Sequence, residues 1–350
     1  AHIAYPSTPN FNNFKTDYVR ALNLQLQGDA APNSDEHIPK SRLPTKATFF
    51  GTVKLHGTNA TIVFRDGNRF RPQIQSRSWI IESNRKDNLG TYALLSAAPL
   101  YSLVDQILAV RGHGSHFEEI YVCGEIAGKG VQKDVAIGAL ERFFAIFNIR
   151  IDGRWVDMRQ YKSCSLPEYR VYNTAQYRTF EIDIDFQVET TVISEQMDQY
   201  TAEVCDECPF GAAFVDTAGT QISGPGEGIV WTMVQTLFMN EGGAFDATTL
   251  HNFKTKGEKF ATTSTPRNRQ ENNDPAVSDA TVQFANYALG ERRFEQGIEY
   301  LEAKQTHDGK LVDAYDIKLT GAFIKWVTED AVKEERNEME RLGVTETAAK

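Results

Sequence analysis

KATFFGTVKLHGTNATIVFRDGNRFRPQIQSR, residues 46–77, is the stretch whose reading decides the fold. Short runs rich in β-branched and aromatic residues, Thr48–Lys54, Asn59–Arg65 and Phe70–Arg77, alternate with turn signals. This spacing predicts an antiparallel meander. Asp66-Gly67 supplies the positive φ that a tight hairpin needs and closes the second run onto the third. Lys54 falls at the junction of the first two runs, followed by Leu55-His56-Gly57-Thr58-Asn59.

Outward from this stretch, further strand-like runs lie at Glu119–Ile126, Arg142–Ile151, Tyr169–Tyr172 and Gly228–Val234. Helical patches lie between them, at Tyr92–Val110 and Val192–Val204. The reading is mixed α+β, with no fixed-period repeat to suggest a solenoid or propeller. A polar run, residues 261–276, has almost nothing to bury and reads as a linker. Beyond it the patterning turns helical: Ser278 suits an N-cap, Val282, Ala285, Leu289, Ile298 and Leu301 form an interrupted apolar face, and Phe323, Trp326 and Val327 precede a run from Glu329 to Leu342 stopped by Gly343. The expected domains are therefore 1–260, a linker at 261–276, and a small all-helical domain at 277–350.

Composition bounds the function. A chain of 350 residues with 41% hydrophobic and 24% charged content can bury a large core, which excludes collagen-like and wholly disordered classes. The net charge of −10 excludes a general nucleic-acid coat, so any polyanion must be met at a local convergence of Lys and Arg. Four cysteines do not make a secreted disulfide framework, and the lone pair Cys205 and Cys208 reads as ordinary thiols rather than a zinc or redox site. With neither a signal-peptide pattern at Ala1–Pro6 nor a long apolar run, an intracellular, membrane-free monomer of unspecified compartment is expected.

The chemistry-bearing residues recur in order along the chain. Lys54 opens the series with Gly57, where a side chain would obstruct a nucleotide, and Thr58 and Asn59, which can donate to phosphate or ribose. Gln75-Ser76-Arg77, Gly124-Glu125, the run Phe144–Asn148 with Phe147, Gly226-Glu227-Gly228 and Lys254-Thr255-Lys256 follow. A lysine attacks phosphorus only as the neutral amine, which needs nearby cations, metal or partial desolvation. In isolation each residue has a bland reading, as a solvated charge, a core aromatic or a strand-edge lysine; their order is what points to chemistry.

That order resembles the covalent nucleotidyltransferase superfamily of DNA ligases, RNA ligases and mRNA capping enzymes. The K-x-H-G-T-N form at Lys54–Asn59 resembles the phage RNA ligase 2 and kinetoplastid RNA-editing ligase branch. The resemblance implies a nucleotidyltransferase domain of ATP-grasp-like antiparallel sheets with flanking helices, followed by a small all-helical C-terminal domain. It implies ATP and Mg²⁺ or Mn²⁺ as cofactors, with Lys54 carrying AMP, and RNA with 3′-OH and 5′-phosphate ends as substrate. Lys54, His56, Lys254 and Lys256 are then the expected catalytic residues. Lys54, Leu55, Gly57, Asn59, Arg77, Glu125, Phe147, Glu227, Lys254 and Lys256 are expected to bind the nucleotide, with Glu125 on the ribose, Phe147 stacked on adenine and Glu227 organising the metal. Arg292 and Arg293 are candidates for RNA phosphate contact, although adjacent helical residues diverge and at most one can face RNA. Val53 stands where close relatives carry Glu, and Asn148 where an acidic residue often follows the aromatic. The alternatives are a DNA ligase or capping guanylyltransferase, which usually continue into a five-stranded barrel where this chain reads helical, and a catalytically silent RNA-binding protein.

Overall fold

The computed structural model describes residues 2–29, 43–77, 79–81, 89–112, 116–131, 134–234, 247–260, 279–305 and 319–349. Its strands are β1 (Lys46–Lys54), β2 (Thr58–Arg65), β3 (Asn68–Ser76), β4 (Ile80–Ile81), β5 (Glu119–Ala127), β6 (Phe143–Ile151), β7 (Arg154–Trp155), β8 (Val171–Asn173), β9 (Thr179–Asp185), β10 (Gly228–Met233) and β11 (Asn252–Lys256). Its helices are α1 (Phe11–Asp29), α2 (Thr91–Ser96), α3 (Leu100–Arg111), α4 (Thr191–Asp206), α5 (Asp279–Ala288), α6 (Glu291–Gln305), α7 (Thr320–Glu334), α8 (Arg336–Arg341) and α9 (Glu346–Ala349). The expected linker at 261–276 and the N-cap at Ser278 lie outside the described residues.

The chain divides into two compact units, residues 1–8 with 14–255, and residues 9–13 with 256–350. The first holds a four-stranded sheet, ordered β11-β10-β1-β9, and a seven-stranded sheet, ordered β4-β3-β2-β5-β6-β7 with β8 on β6. The α+β class of antiparallel sheets with flanking helices is thus realised, but the meander is not. β1 pairs with β9 and β10, whereas β2 pairs with β3 and β5. The physical reason is burial: β1 is covered along nearly its whole length, as a central strand packed on both faces must be, instead of showing the alternation of a half-exposed meander strand. The chain therefore changes sheets across Leu55-His56-Gly57. The second expected turn does form, with Asp66 and Gly67 at φ 54° and 67° closing β2 onto β3.

One face of the seven-stranded sheet buries Ile62, Phe64, Val122, Ile126, Phe144 and Ile146 against Leu95, Leu103, Val104 and Ile107 of α2 and α3. The helix expected over Tyr92–Val110 is split at Pro99, whose ring cannot sit inside a helix, so Pro99 caps α3 instead. By the two-residue alternation of strands, Asn59, Thr61, Cys123 and Glu125 line the opposite face.

The four-stranded sheet is built on aromatic residues. Phe49 and Phe253 lie with ring centroids 5.1 Å apart, and Phe14 of α1 sits 5.6 and 5.1 Å from them. A Cβ on Gly51 would come within 2.7 Å of the Trp231 ring, so glycine is what lets that indole lie over β1. Neither α1 nor β9 is among the elements expected from the sequence. β9 nonetheless carries a clean period-two pattern, Phe180, Ile182 and Ile184 buried between acidic residues.

The second unit is helical beyond its start. Phe284 and Ala288 of α5 pack with Ala331 of α7, Met339 of α8 and Val344. The division between the units falls at Lys256, ahead of the expected 260, and Phe260 is buried beneath the Arg292 guanidinium, 5.7 Å from its ring centroid. The run from Glu329 is interrupted at Glu335, and Gly343, at φ 69°, follows α8 as expected. Among the described residues no helix is long and apolar enough to cross a membrane.

Candidate active site

The end of β1 lies against the start of β10, in the register Lys54↔Gly228. This brings the residue before β10 onto the lysine: Lys54 Nζ donates to Glu227 Oε2 at 2.5 Å. Glu227 is 2% exposed and Lys54 22%, so the pair is shielded yet the amine remains reachable. The loop carrying Glu227 is pinned by the C-terminal end of α4. Gly226 N donates to the Val204 carbonyl at 2.9 Å and Cys208 N to the Gly224 carbonyl at 2.8 Å. A Cβ on Gly226 would press to 2.9 Å from the Val204 oxygen, which is why glycine occupies that place. Cys205 and Cys208 flank this loop without forming a disulfide, and Cys208 is buried.

β2 begins where the lysine segment ends, and its register with β5 sets Asn59 opposite Glu125. The Gly57 amide hydrogen-bonds the Glu125 carboxylate. A Cβ on Gly57 would meet the Ile126 carbonyl oxygen at 2.2 Å and the Glu125 side chain at 2.9 Å. Glycine is thus demanded here by close packing on β5, whatever approaches from solvent. Burial pushes the Glu125 carboxyl up to about 7; Lys54 and Arg77 oppose that rise, and the charge of Glu227 adds to it. The Asn59 Oδ1 is buried with no hydrogen-bond partner, on the residue set opposite Glu125 in the β2–β5 register. An orphaned polar atom of this kind is a reasonable mark of a ligand position.

The structure brings Lys54, Gly57, Asn59, Arg77, Glu125 and Glu227 together. Leu55 and His56 are buried within the crossover itself. Phe147 lies one row further along the same face of the seven-stranded sheet. A β-bulge between Cys123 and Gly124 leaves Phe147 unpaired, with Asn148 opposite Cys123 and Ile146 opposite Gly124. The ring is half-buried among Val63, Tyr121, Cys123 and Trp155. Lys254 lies on β11, two residues from Asn252 and on its face of the strand, opposite that of Phe253 and Thr255. Lys256 ends β11 and begins the second unit.

The expectation for Arg293 is corrected. Its side chain is 0% exposed and its guanidinium donates to Glu335 at 2.7 Å, with Asp330 at 3.7 Å, so it serves the interior of the helical unit and has no face for phosphate. Arg292 is 16% exposed and pairs with Glu295 at 2.5 Å.

Tyr5, Asn252 and Trp155, gathered on the inner wall beside Phe147, are absent from the residues expected on sequence grounds. No motif signals them, and Tyr5 in particular lies in residues 2–8, which form neither helix nor strand. Among the described residues no group of three or more His, Cys, Asp or Glu could by itself hold a metal ion. The buried Glu227 carboxylate beside Lys54 nonetheless suits a hard cation completed by phosphate oxygens and water, as Mg²⁺ commonly is.

With this geometry in place, the match of residues 47–247 to the RNA ligase family model assigns the family: the chain belongs to the RNA ligase family. No curated protein matches the sequence. Among solved structures, an apo point mutant of the Naegleria gruberi RNA ligase is similar at 14% identity and a TM-score of 0.40, over 74% of this chain and 56% of that one. A second point mutant of that ligase, solved with ATP and Mn, is similar at 12% identity and the same TM-score, over 74% and 56%. The chain therefore spans little more than half the length of these relatives.

Proposed function

We propose that this chain is an ATP-dependent RNA ligase that works through a lysyl-AMP intermediate. The observation that carries the reading is the pairing of a reachable lysine, Lys54, with the buried Glu227, beside Glu125 and the unpartnered Asn59 oxygen, in a chain of the RNA ligase family. In the first step the neutral Lys54 amine attacks the α-phosphorus of ATP. A nitrogen–phosphorus bond forms, the bond to the β-phosphate breaks, pyrophosphate leaves, and the amine proton passes to solvent. The hydrogen bond from Lys54 to Glu227 has to be given up for the amine to reach phosphorus. Glu227 is the residue that would hold Mg²⁺ or Mn²⁺, which when bound would neutralise phosphate charge.

In the second step AMP passes from Lys54 to an RNA 5′-phosphate, and in the third a 3′-hydroxyl displaces AMP to form the phosphodiester. Nicked duplex or bridged ends are the substrate proposed. Glu125 takes the ribose, Phe147 the adenine, Arg77 a phosphate and Lys254 the developing α-phosphate charge, with Lys256 assigned to the same role from its motif alone. His56 acts after Lys54 is loaded, and Arg292 is the remaining helical candidate for an RNA phosphate.

Incubation with α-labelled ATP and Mg²⁺, then denaturing electrophoresis, is expected to leave label on the wild-type chain and none on Lys54→Ala. Label from GTP and not from ATP would instead identify a guanylyltransferase.

A further inference from the structure

The N-terminal segment crosses the inner face of the seven-stranded sheet from β3 to β6. At one end the His2 ring nitrogen Nε2 lies 3.1 Å from the Ser76 carbonyl and Ile3 N donates to Gln75 Oε1 at 3.4 Å. At the other, the Tyr5 hydroxyl accepts from Asn148 Nδ2 at 2.7 Å and from Asn252 Nδ2 at 3.0 Å. The Asn252 amide also reaches Thr8 Oγ1 at 3.4 Å. One phenol oxygen therefore ties the bulge of β6 to β11, the strand that carries Lys254.

The Tyr5 ring does a second thing. It stands edge-on to Phe147, with centroids 5.0 Å apart and planes at 69°, and edge-on to Trp155 at 5.8 Å and 85°. These are favourable quadrupole geometries, and they hold a ring in one orientation as well as filling space. Phe147 needs such a hold, because the bulge leaves it without the ladder pairing that fixes its neighbours. Burial also pushes the Tyr5 phenol far up, so its oxygen remains a neutral hydroxyl across the working range of pH.

We infer that Tyr5 is a positioning residue for the nucleotide base: it sets the orientation of Phe147 through its ring, and of the Phe147–Asn148 bulge relative to β11 through its hydroxyl. The inference rests on the proposed lysyl-AMP reading and adds to it a residue outside the sequence motifs. Tyr5 meets the base only through Phe147.

The test is the kinetics of lysyl-AMP formation by the full chain, with inorganic tripolyphosphate as a competitor that carries the phosphates and no base. Tyr5→Ala is expected to raise KM for ATP about tenfold, within the range that loss of a base-stacking ring produces, while kcat stays within about threefold. Tyr5→Phe keeps the ring contacts and removes the shared acceptor, and a rise of about threefold is expected. Tripolyphosphate should inhibit all three proteins equally. Phe147→Ala should raise KM for ATP similarly, and the double variant with Tyr5→Ala should lose little more than either alone, since the two act as a unit.

An unchanged KM for ATP in Tyr5→Ala overturns the inference, and so does a parallel loss of ATP and tripolyphosphate, which marks general collapse of the site. If Tyr5→Ala does not fold, Tyr5→Phe decides, and wild-type KM there overturns it. A wild-type chain that forms no lysyl-AMP from any ribonucleoside triphosphate refutes both readings. A labelled wild type with an indifferent Tyr5 refutes only this one.

Discussion

Glu125 is a carboxyl whose placement costs the fold something. Its folded value of about 7 lies above the ordinary 4.5, so the native state binds its proton more tightly than the unfolded chain does. The cost is absent below about pH 4.5, grows as pH rises towards 7, and is complete above it; every tenfold gain in proton affinity corresponds to about 1.4 kcal/mol. Glu125→Gln is therefore expected to raise thermal stability at pH 8 by up to about 3 kcal/mol and to change it little at pH 4.5, while abolishing lysyl-AMP formation. Thermal melts across pH read the first part; a variant equally stabilised at both pH values would contradict it. Gly57 carries the opposite expectation. With a backbone oxygen 2.2 Å from any Cβ, neither neighbour can yield easily, and Gly57→Ala should cost about 3 kcal/mol and lower the Tm by several degrees. An unaltered melt would show that the segment Leu55–Thr58 shifts freely.

At the scale of elements, what the sequence made legible was the local pattern. The hairpin at Asp66-Gly67, the run that became β6, and the glycines around Glu227 could all be read because each is dictated by neighbours a few residues away. The partner of β1 could not be. Whether a strand continues a meander or enters a second sheet depends on the pairing of its two edges, here with β9 and β10, and on burial of a face by the aromatic residues of α1, contacts that span most of the chain. The candidate site was legible where motifs carry it, at Lys54, Glu125 and Glu227, and illegible at Tyr5, whose role comes from lying across a sheet formed some 70 to 140 residues away. Arg293 teaches the same lesson in reverse, since a helical arginine beside another reads as surface charge until Glu335 is found beneath it. Removing one member of such a buried pair strands the other, so Arg293→Ala should destabilise the helical unit by about 3–5 kcal/mol. Arg292→Ala should be near neutral in stability. Denaturant melts of both variants check this; equal, small effects would place Arg293 at the surface after all.

For the whole molecule the governing quantity is charge. With 47 acidic against 37 basic residues, the chain has no general attraction for a polyanion, so the RNA proposed as substrate is expected to be engaged only where cations converge. Binding of nicked duplex RNA should accordingly weaken with salt along a modest slope, set by a few phosphate contacts. A slope near that of a protein making about ten such contacts would point to a broad basic surface and contradict a focused site. The proposed function nevertheless depends on one covalent event. The measurement that tests it most directly is mass spectrometry of the chain after incubation with ATP and Mg²⁺: one adenylyl group is expected on the peptide containing Lys54, and none in Lys54→Ala. An adduct on another residue, or an adenylylated Lys54→Ala, would contradict the assignment.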